Sequence, residues 1–394
     1  MAFSWWQWRN VPPPSADEYT KQIEKLLERT PVPAIWLFGK TGSGKSSVIS
    51  YLTGAEDATI GEGYRPETKT SRRFDFPDSL EPLMTFLDTR GLGEADYDPS
   101  EDIRQFSGST QLMIVTVRVT DHALESILDP LRLIAKSSPD RPILLVLTCL
   151  HEAMGAVDLT EGADPFATPS DEADQSELPA PIPQRLQTLI DQKVSQFAGV
   201  HDTVIPIDLT RLEDGFANPD FGGDRLKQAI LDQLPHAYRQ ALLALGDSRS
   251  VGQSSRKRKA RWQVLASSAL AGTAGAVPMP WVDIPVVLGI QAHLAVKIAD
   301  IYEQELTAAR WAILSSAAGS RIALRLAIRE SLKFIPLLGM AVGAASSFAF
   351  TYALGMSWDW YFADLRRGNV PSADQLKQIF SEELKRGHEL WRAT

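Results

Sequence analysis

One run of eight residues combines glycines, a lysine and a hydroxyl at a spacing that could hold a phosphate chain. Residues 39–46 fit the pattern G-x-x-x-x-G-K-[ST]. In that pattern backbone N–H groups surround the phosphates, the lysine reaches the β- and γ-phosphates, and the hydroxyl ligates Mg²⁺. An ordinary glycine-rich turn is the alternative, but a predicted buried strand before the run and a predicted helix after it favour a nucleoside triphosphate site. The residues expected to contact the nucleotide here are Gly39, Lys40, Thr41, Gly42, Ser43, Gly44, Lys45, Ser46 and Ser47.

A second candidate site residue, Asp88, stands at the end of another predicted strand. The chain continues from it to Gly91 in the form D-x-x-G. Mg²⁺ prefers oxygen ligands, and in nucleotide sites it is usually held by one or two protein groups together with phosphate and water. We therefore predict that Ser46 and Asp88 ligate Mg²⁺ and that the backbone N–H of Gly91 approaches the γ-phosphate.

The elements that must position these motifs are predicted strands and helices, which alternate along the chain up to about residue 245. The strands read as nearly continuous hydrophobic runs, which is typical of a parallel sheet covered by helices on both faces. The expected fold class is therefore α/β, with a doubly wound, mostly parallel sheet. The predicted strands are 34–38, 72–76, 83–87, 112–119, 143–147 and 203–207, and the predicted helices are 15–29, 45–52, 122–136, 183–197 and 225–245.

Composition argues for two domains and against a nucleic-acid partner. The chain has 394 residues and a formal net charge of −9, whereas proteins that bind nucleic acid present basic surfaces. Its single cysteine, Cys149, excludes a disulfide framework and is typical of a cytoplasmic protein. The expected segments are a tryptophan-rich leader and helix at 1–30, a nucleotide-binding domain at 31–250 with an acidic insertion at 152–183, a hydrophobic helical domain at 256–365 and a helical tail at 366–394.

The predicted helical domain includes 25 consecutive residues, 334–358, without a formal charge. A helix of that length could cross the ~30 Å hydrocarbon core of a bilayer, and Gly339 and Gly343 have a spacing that lets helices approach closely in lipid. We predict association with the inner face of a membrane, with lipid as a partner. A soluble bundle with an apolar central helix explains the same residues. The tryptophans of the leader suit either a membrane-interface anchor or packing against the protein, and the insertion suits either a solvated loop or an acidic docking site.

The spacing of the motifs resembles that of the translation-factor-related GTPases, and of the Era-like branch in particular. Asp88 lies 42 residues after Ser46 and 60 residues before Thr148, similar to the intervals between the phosphate-, magnesium- and base-binding loops of small GTPases. More narrowly, the chain resembles a group of bacterial GTPases with a C-terminal hydrophobic helical domain of unknown function. The runs that carry this narrower resemblance are 61–68, 88–93, 147–152, 205–210, 278–283 and 335–339.

The resemblance implies a molecular switch that binds GTP and GDP with Mg²⁺. It implies that Thr68 reaches Mg²⁺ and the γ-phosphate from the first switch loop; Thr70 is the alternative, and both could instead be turn-forming threonines. It places Thr148 and His151 in the base-reading loop, and the loop at Asp208 could supply backbone contacts to the base.

Two positions depart from the family pattern. The base-reading loop is usually N-K-x-D, whose carboxylate pairs with the N1 and N2 hydrogens of guanine, but here His151 replaces the aspartate and Glu152 comes one residue late. GTP is therefore favoured over ATP by spacing and resemblance only. Leu92 stands where related proteins place a glutamine that orients the attacking water. We predict slow hydrolysis, completed by Arg90 or Arg65, by a homodimer partner or by an activating protein, although both arginines could simply be solvated or salt-bridged.

The leading hypothesis is a GTPase switch that couples its nucleotide state to the helical domain. A P-loop ATPase or kinase with a soluble helical lid is one alternative, and a nucleotide-binding scaffold with negligible hydrolysis is another. The residues expected to act in hydrolysis are Lys45, Thr68, Arg90 and Gly91.

Overall fold

The chain divides into two compact units. The computed structural model describes residues 16–29, 31–55, 65–66, 71–89, 100–106, 108–154, 165–166, 182–210, 216, 219–246, 255–276, 283–307, 310, 313–314 and 336–393. One unit, the α/β unit, comprises Pro33–Phe76 and Met84–Leu234, and the other, the helical unit, comprises Met1–Val32, Pro77–Leu83 and Pro235–Thr394. The tryptophan-rich leader and most of the acidic insertion lie outside the described residues.

A sheet of seven strands lies in the described part of the α/β unit. Its strands, in chain order, are β1 (Ala34–Phe38), β2 (Arg65–Pro66), β3 (Ser71–Phe76), β4 (Met84–Thr89), β5 (Leu112–Arg118), β6 (Ile143–Thr148) and β7 (Thr203–Pro206). They are arranged β2-β3-β4-β1-β5-β6-β7. The pairs from β4 through β1, β5 and β6 to β7 are parallel, while β2 and β3 extend the sheet in antiparallel fashion. The predicted α/β class with a mostly parallel sheet is confirmed.

The central strands are apolar because both faces of the sheet are covered. Every residue of β1 and of β6 is buried, as expected for parallel strands in a layered α/β fold. Since β4, β1, β5 and β6 run in the same direction, their C-terminal ends meet at one edge of the sheet. The loops that follow these ends carry the candidate functional residues, as is usual for open α/β sheets.

The helices correspond closely to the predicted ones in the first half of the chain. They are α1 (Ala16–Arg29), α2 (Lys45–Thr53), α3 (Ser100–Phe106), α4 (Glu125–Ser137), α5 (His151–Met154), α6 (Gln184–Gln196), α7 (Gly223–Leu231), α8 (His236–Gly246), α9 (Ser255–Ala276), α10 (Asp283–Ile301), α11 (Pro336–Arg366) and α12 (Ala373–Arg392). The single helix predicted at 225–245 is wrong, because α7 ends at Leu231 and α8 begins only after Pro235. A proline has no N–H to donate and disfavours the helical conformation of the residue before it. The short helix α3 is not among the predicted elements.

The helical unit is built around α9 and α11. The helix α9 packs against α8, α10 and α11, and α11 also packs against α10 and α12. A Cβ atom added at Gly343 would lie 2.6 Å from the backbone oxygen of Gly275, and one added at Gly355 would lie 2.7 Å from Val264. Gly343 therefore serves a close helix–helix approach within this chain. The helix α8, which the sequence patterns assign to the nucleotide-binding domain, belongs to the helical unit.

The expectation that residues 334–358 cross a membrane is not supported. Within the described part of the chain, no helix combines the length and the apolar character that crossing a bilayer requires. Polar side chains of α11 are instead paired inside the helical unit. Gln291 Nε2 donates to Thr351 Oγ1 at 3.0 Å, and the Tyr302 hydroxyl donates to Asp359 Oδ1 at 2.7 Å.

Residues 77–83, which connect β3 to β4, pack within the helical unit. Lys297 Nζ of α10 lies 2.8 Å from Asp78 Oδ2 and 3.4 Å from Glu81 Oε2. Gln263 Nε2 donates to Asp78 Oδ2 at 2.7 Å, and Ser267 Oγ donates to Glu81 Oε2 at 2.7 Å. We call these five residues the anchor cluster. They fasten the β3–β4 connection to α9 and α10.

Candidate functional site

The phosphate-binding loop connects β1 to α2 and adopts a backbone that requires glycine. Gly42 and Gly44 have φ values of 76° and 95°, in the left-handed region that favours glycine. A Cβ atom added at Gly39 would lie 2.4 Å from Thr116 Oγ1 of β5. The helix α2 begins immediately afterwards at Lys45. A turn of this kind presents backbone N–H groups and a helix N-terminus to an anion.

Side chains from neighbouring loops hold the phosphate-binding loop in place. The hydroxyls of Ser43 and Thr116 lie 2.6 Å apart and both residues are buried. Lys40 Nζ pairs with Asp121 Oδ2 at 2.9 Å and also donates to the carbonyl of Ala123. Because these contacts engage the Lys40 ammonium, Lys40 would contact a nucleotide through its backbone.

A lysine and a carboxylate meet at the start of α2. The register of β1 against β4 places Asp88 beside Leu37, and Lys45 Nζ lies 3.7 Å from Asp88 Oδ1. The same ammonium donates to the carbonyls of Gly39 at 2.6 Å and Lys40 at 3.0 Å. Burial lowers the pKa of Lys45 against the effect of Asp88, and burial raises the pKa of Asp88 against the effects of Lys45 and Arg72.

The oxygen atoms at this point fit a divalent cation. Asp88 Oδ1 is buried and accepts no hydrogen bond from the described residues, so it keeps a coordination position unused. The Ser46 side chain is exposed in the first turn of α2. A carboxylate and a hydroxyl beside a phosphate cradle are the ligand types that Mg²⁺ takes in nucleotide sites.

The loop after β6 contacts the phosphate-binding loop directly. Thr148 Oγ1 donates to the carbonyl of Ser43 at 3.0 Å, and a Cβ atom added at Gly44 would lie 3.2 Å from Thr148 Cγ2. Cys149 follows with φ of 56°, a left-handed conformation that is uncommon for residues other than glycine. The structure therefore brings the predicted base-reading loop and the predicted phosphate-binding loop together.

His151 is held by Asp208, which follows β7. Asp208 Oδ2 accepts the backbone N–H of His151 at 2.7 Å, and the imidazole Nδ1 lies 2.9 Å from both carboxylate oxygens. The carboxylate is buried, and this burial raises the pKa of Asp208 against the effect of His151. Phe216 lies beside the imidazole, with ring centroids 5.0 Å apart. His151 and Asp208 are both predicted site residues, but their contact with each other is not predicted from the sequence.

Glu152 is bound by Arg118 and Thr120, which are not among the predicted site residues. Its carboxylate pairs with the Arg118 guanidinium and accepts from Thr120 Oγ1 at 2.6 Å. Burial acts to raise the pKa of Glu152, but the hydrogen bonds from Thr120 and Arg118 outweigh it and lower the pKa. Arg118 is the last residue of β5 and Thr120 follows that strand. Their position at the C-terminal end of a central strand is the signal that could have found them.

Several predicted site residues lie outside the described part of the chain. These are Thr68, Thr70, Arg90, Gly91 and Leu92. Arg65 lies in β2, but its side chain is not described. The roles assigned to all of them stay predictions.

Comparison with known proteins agrees with this geometry. Residues 34–149, which run from β1 to the loop after β6, match the family described as 50S ribosome-binding GTPase. The chain therefore contains a P-loop GTPase domain, matched over residues 34–149. No curated protein sequence matches the chain.

The solved structures that match part of the chain include a GTP-binding protein. A GTP-binding protein from the hyperthermophilic archaeon Sulfolobus solfataricus, in complex with GDP, is 15% identical over 54% of this chain and 56% of its own, with a TM-score of 0.26. Two mutation variants of SsGBP are 16% and 18% identical, over 60% and 56% of this chain and 67% and 65% of their own, with TM-scores of 0.26 and 0.28. This chain thus spans about half of the first of these structures.

Proposed function

We propose that this protein binds GTP and GDP with Mg²⁺, hydrolyses GTP slowly and uses the nucleotide state to act on its helical unit. The observation that carries the proposal is the meeting of Lys45 and Asp88 at the phosphate-binding loop, 3.7 Å apart. A lysine that reaches phosphate and a carboxylate that reaches Mg²⁺ are the two charged groups this chemistry requires.

The residues that would hold Mg²⁺ are Ser46 and Asp88, with Thr68 as a third proposed ligand. When bound, Mg²⁺ neutralises the negative charge on the β- and γ-phosphate oxygens. The buried Asp88 oxygen without a hydrogen-bond partner among the described residues supports this assignment.

Lys45 has to exchange partners when a triphosphate binds. Its ammonium donates to two loop carbonyls, those of Gly39 and Lys40. A phosphate oxygen can take the place of either carbonyl as the acceptor, at a similar distance from Nζ. The negative charge of the phosphate favours the protonated ammonium and opposes the effect of burial on its pKa. Lys45 then stabilises charge on the transferred phosphoryl group, and Gly91 adds a backbone N–H.

Slow hydrolysis is proposed because Leu92 cannot orient a water molecule by hydrogen bonding. Phosphoryl transfer depends mainly on positioning and charge stabilisation, and a supplied arginine accelerates it about 10³–10⁵-fold in related enzymes. Arg90 in this chain, a second copy of it or an activating protein are the proposed sources. A site at the inner face of a membrane, with a lipid partner, is a further proposal, supported by the basic residues at the start of α9.

The connection between β3 and β4 is the proposed route from nucleotide to helical unit. Asp88 lies on β4 five positions after Leu83, where the chain leaves the helical unit. At about 3.3 Å per residue this is about 17 Å of extended backbone. A shift of β4 on binding of Mg²⁺ and GTP therefore acts on residues 77–83. The anchor cluster ties these residues to α9 and α10.

Hydrogen exchange with a nonhydrolysable GTP analogue and with GDP tests this function. We expect exchange in β4 and in residues 77–83 to differ between the two nucleotides. Asp88→Asn should abolish the difference, and Asp129→Asn, an exposed acid on α4, should leave it unchanged. Identical exchange with both nucleotides in the wild-type protein, despite measured binding of each, would refute the coupling.

A further inference from the structure

The predicted base-reading loop and the residues around it offer no free carboxylate among the described residues. Asp208 uses its oxygens for the backbone N–H and the imidazole of His151. Glu152 uses its oxygens for Arg118 and Thr120. Both acids are therefore engaged in holding protein groups.

Among the described residues, the group in this corner that we consider for the base is the imidazole of His151. The residue begins α5, three positions after Thr148, the last residue of β6, whose side chain contacts the phosphate-binding loop. Its side chain is 36% exposed, whereas the Asp208 side chain is 8% exposed. The accessible member of the pair is thus the imidazole, and Asp208 acts behind it.

The tautomer follows from the hydrogen bond to Asp208. A neutral imidazole whose Nδ1–H donates to a carboxylate has its lone pair on Nε2 and is a single acceptor there. A carboxylate, by contrast, accepts two hydrogen bonds side by side, and each is stronger because the acceptor is charged.

We infer that His151, oriented by Asp208, reads the base and accepts one hydrogen bond, from the N1–H of a 6-oxopurine. The inference rests on the proposed function and deepens it. The substrate class is the 6-oxopurine nucleotides as a whole, because inosine has the same N1–H and O6 as guanine and lacks only the 2-amino group. Adenine is disfavoured, since its unprotonated N1 would face the Nε2 lone pair.

Competition of GTP, ITP and ATP against a fluorescent GDP, with Mg²⁺ present, tests the inference. We expect wild-type affinities for GTP and ITP within about threefold of each other. His151→Ala should weaken both by about tenfold, the scale of one net hydrogen bond. ATP binding should not weaken, because the substitution removes the lone pair that faces adenine N1. Asp208→Ala should act in the same direction, because the freed imidazole loses its orientation.

Two further variants separate a specific role from general damage. His201→Ala, at the start of β7 and so at the other end of that strand from Asp208, should leave all three affinities unchanged. The double variant His151→Asp with Asp208→Asn supplies a carboxylate and should raise the preference for GTP over ITP by about tenfold or more.

The outcomes distinguish this inference from the proposed function. The inference that His151 accepts one hydrogen bond from the base would be overturned by either of two results. The first is a wild-type affinity for ITP more than about thirtyfold weaker than that for GTP. The second is an equal loss of affinity for GTP, ITP and ATP in His151→Ala. Absence of binding by all three nucleotides would overturn the proposed function as well.

Discussion

Two lysine–carboxylate pairs, Lys297–Asp78 and Lys45–Asp88, have their aspartates only ten positions apart in the sequence, and the two aspartates differ in how many hydrogen-bond partners they have. Lys297 lies 2.8 Å from Asp78, and the anchor cluster adds hydrogen bonds from Gln263 and Ser267. Lys45 lies 3.7 Å from Asp88, and Asp88 Oδ1 accepts no hydrogen bond from the described residues. Asp78 thus has its partners within the protein, whereas Asp88 has capacity left for a ligand. The anchor cluster is not fully hydrogen-bonded either, because Glu81 Oε1 is buried and accepts no hydrogen bond from the described residues.

The pKa shifts of the two aspartates express the same difference. Burial acts to raise the pKa of both carboxyl groups. At Asp78 the charge and hydrogen bonds of Lys297 outweigh burial and lower the pKa. At Asp88 burial prevails over Lys45 and Arg72, and the pKa is raised. Residue type alone therefore does not distinguish Asp78 from Asp88; the number of their hydrogen-bond partners does.

The largest effect is expected from removing the lysine of the structural pair. Lys297→Met leaves Glu81, whose side chain is 0% exposed, without its cation, and breaking a buried pair costs about 3–5 kcal/mol. Urea unfolding should show this loss in the helical unit. Lys377→Met, which removes the exposed pair with Asp374, should change stability by less than about 1 kcal/mol. Equal effects of the two substitutions would contradict the structural role of Lys297.

The lysine of the incomplete pair should matter for ligand and not for folding. Lys45→Ala should weaken GTP binding by at least about 100-fold, or about 2.7 kcal/mol, and leave the unfolding midpoint without nucleotide nearly unchanged. Fluorescence titration and urea unfolding measure the two quantities. Lys136→Ala, an exposed lysine at the end of α4, is the matched control. A large loss of stability with intact GTP binding would reverse the roles assigned to the two lysines.

The packing of the helical unit gives an intermediate effect without any charge. Gly343→Val would force side-chain atoms into the 2.6 Å space beside Gly275, and overpacking of this kind costs about 1–3 kcal/mol. Thermal unfolding should show the loss, while GTP affinity stays unchanged. A neutral result would mean that α9 and α11 do not approach as closely as described.

The smallest effect is the acid dependence of the structural pair. Because the pKa of Asp78 is lowered on folding, its contribution is present above the unfolded pKa and is lost as pH falls through the folded pKa. The stability difference between the wild-type protein and Asp78→Asn should therefore shrink steadily as the solution is acidified below pH 4. A difference that stays constant to pH 2 would show that folding does not lower the pKa of Asp78.

The phosphate-binding loop and its flanking elements could be predicted because their signals are local. The apolar run of β1, the glycines at 42 and 44 and the start of α2 lie within 20 consecutive residues. The parallel direction of β1, β5 and β6 could also be predicted, because these strands are continuously apolar. Such features need no knowledge of distant contacts.

The base-reading corner and the anchor cluster could not be predicted for the opposite reason. Asp208 holds a residue 57 positions away, Arg118 pairs with one 34 positions away, and Lys297 reaches across 219 positions to Asp78. Nothing in the local pattern of residues 77–83 indicates that they pack with α9 and α10. The break between α7 and α8, in contrast, was visible in the sequence as Pro235, although Pro130 lies within α4 without ending that helix.

The most direct test of the incomplete pair is the magnesium dependence of GTP binding, measured by calorimetry in the wild-type protein and in Asp88→Asn. If Asp88 keeps its free oxygen for Mg²⁺, adding Mg²⁺ should tighten GTP binding by at least about tenfold in the wild-type protein and by much less in the variant. The same tightening in both proteins, or no uptake of GTP by the wild-type protein with Mg²⁺ present, would contradict the assignment of Lys45 and Asp88 as the nucleotide-binding pair.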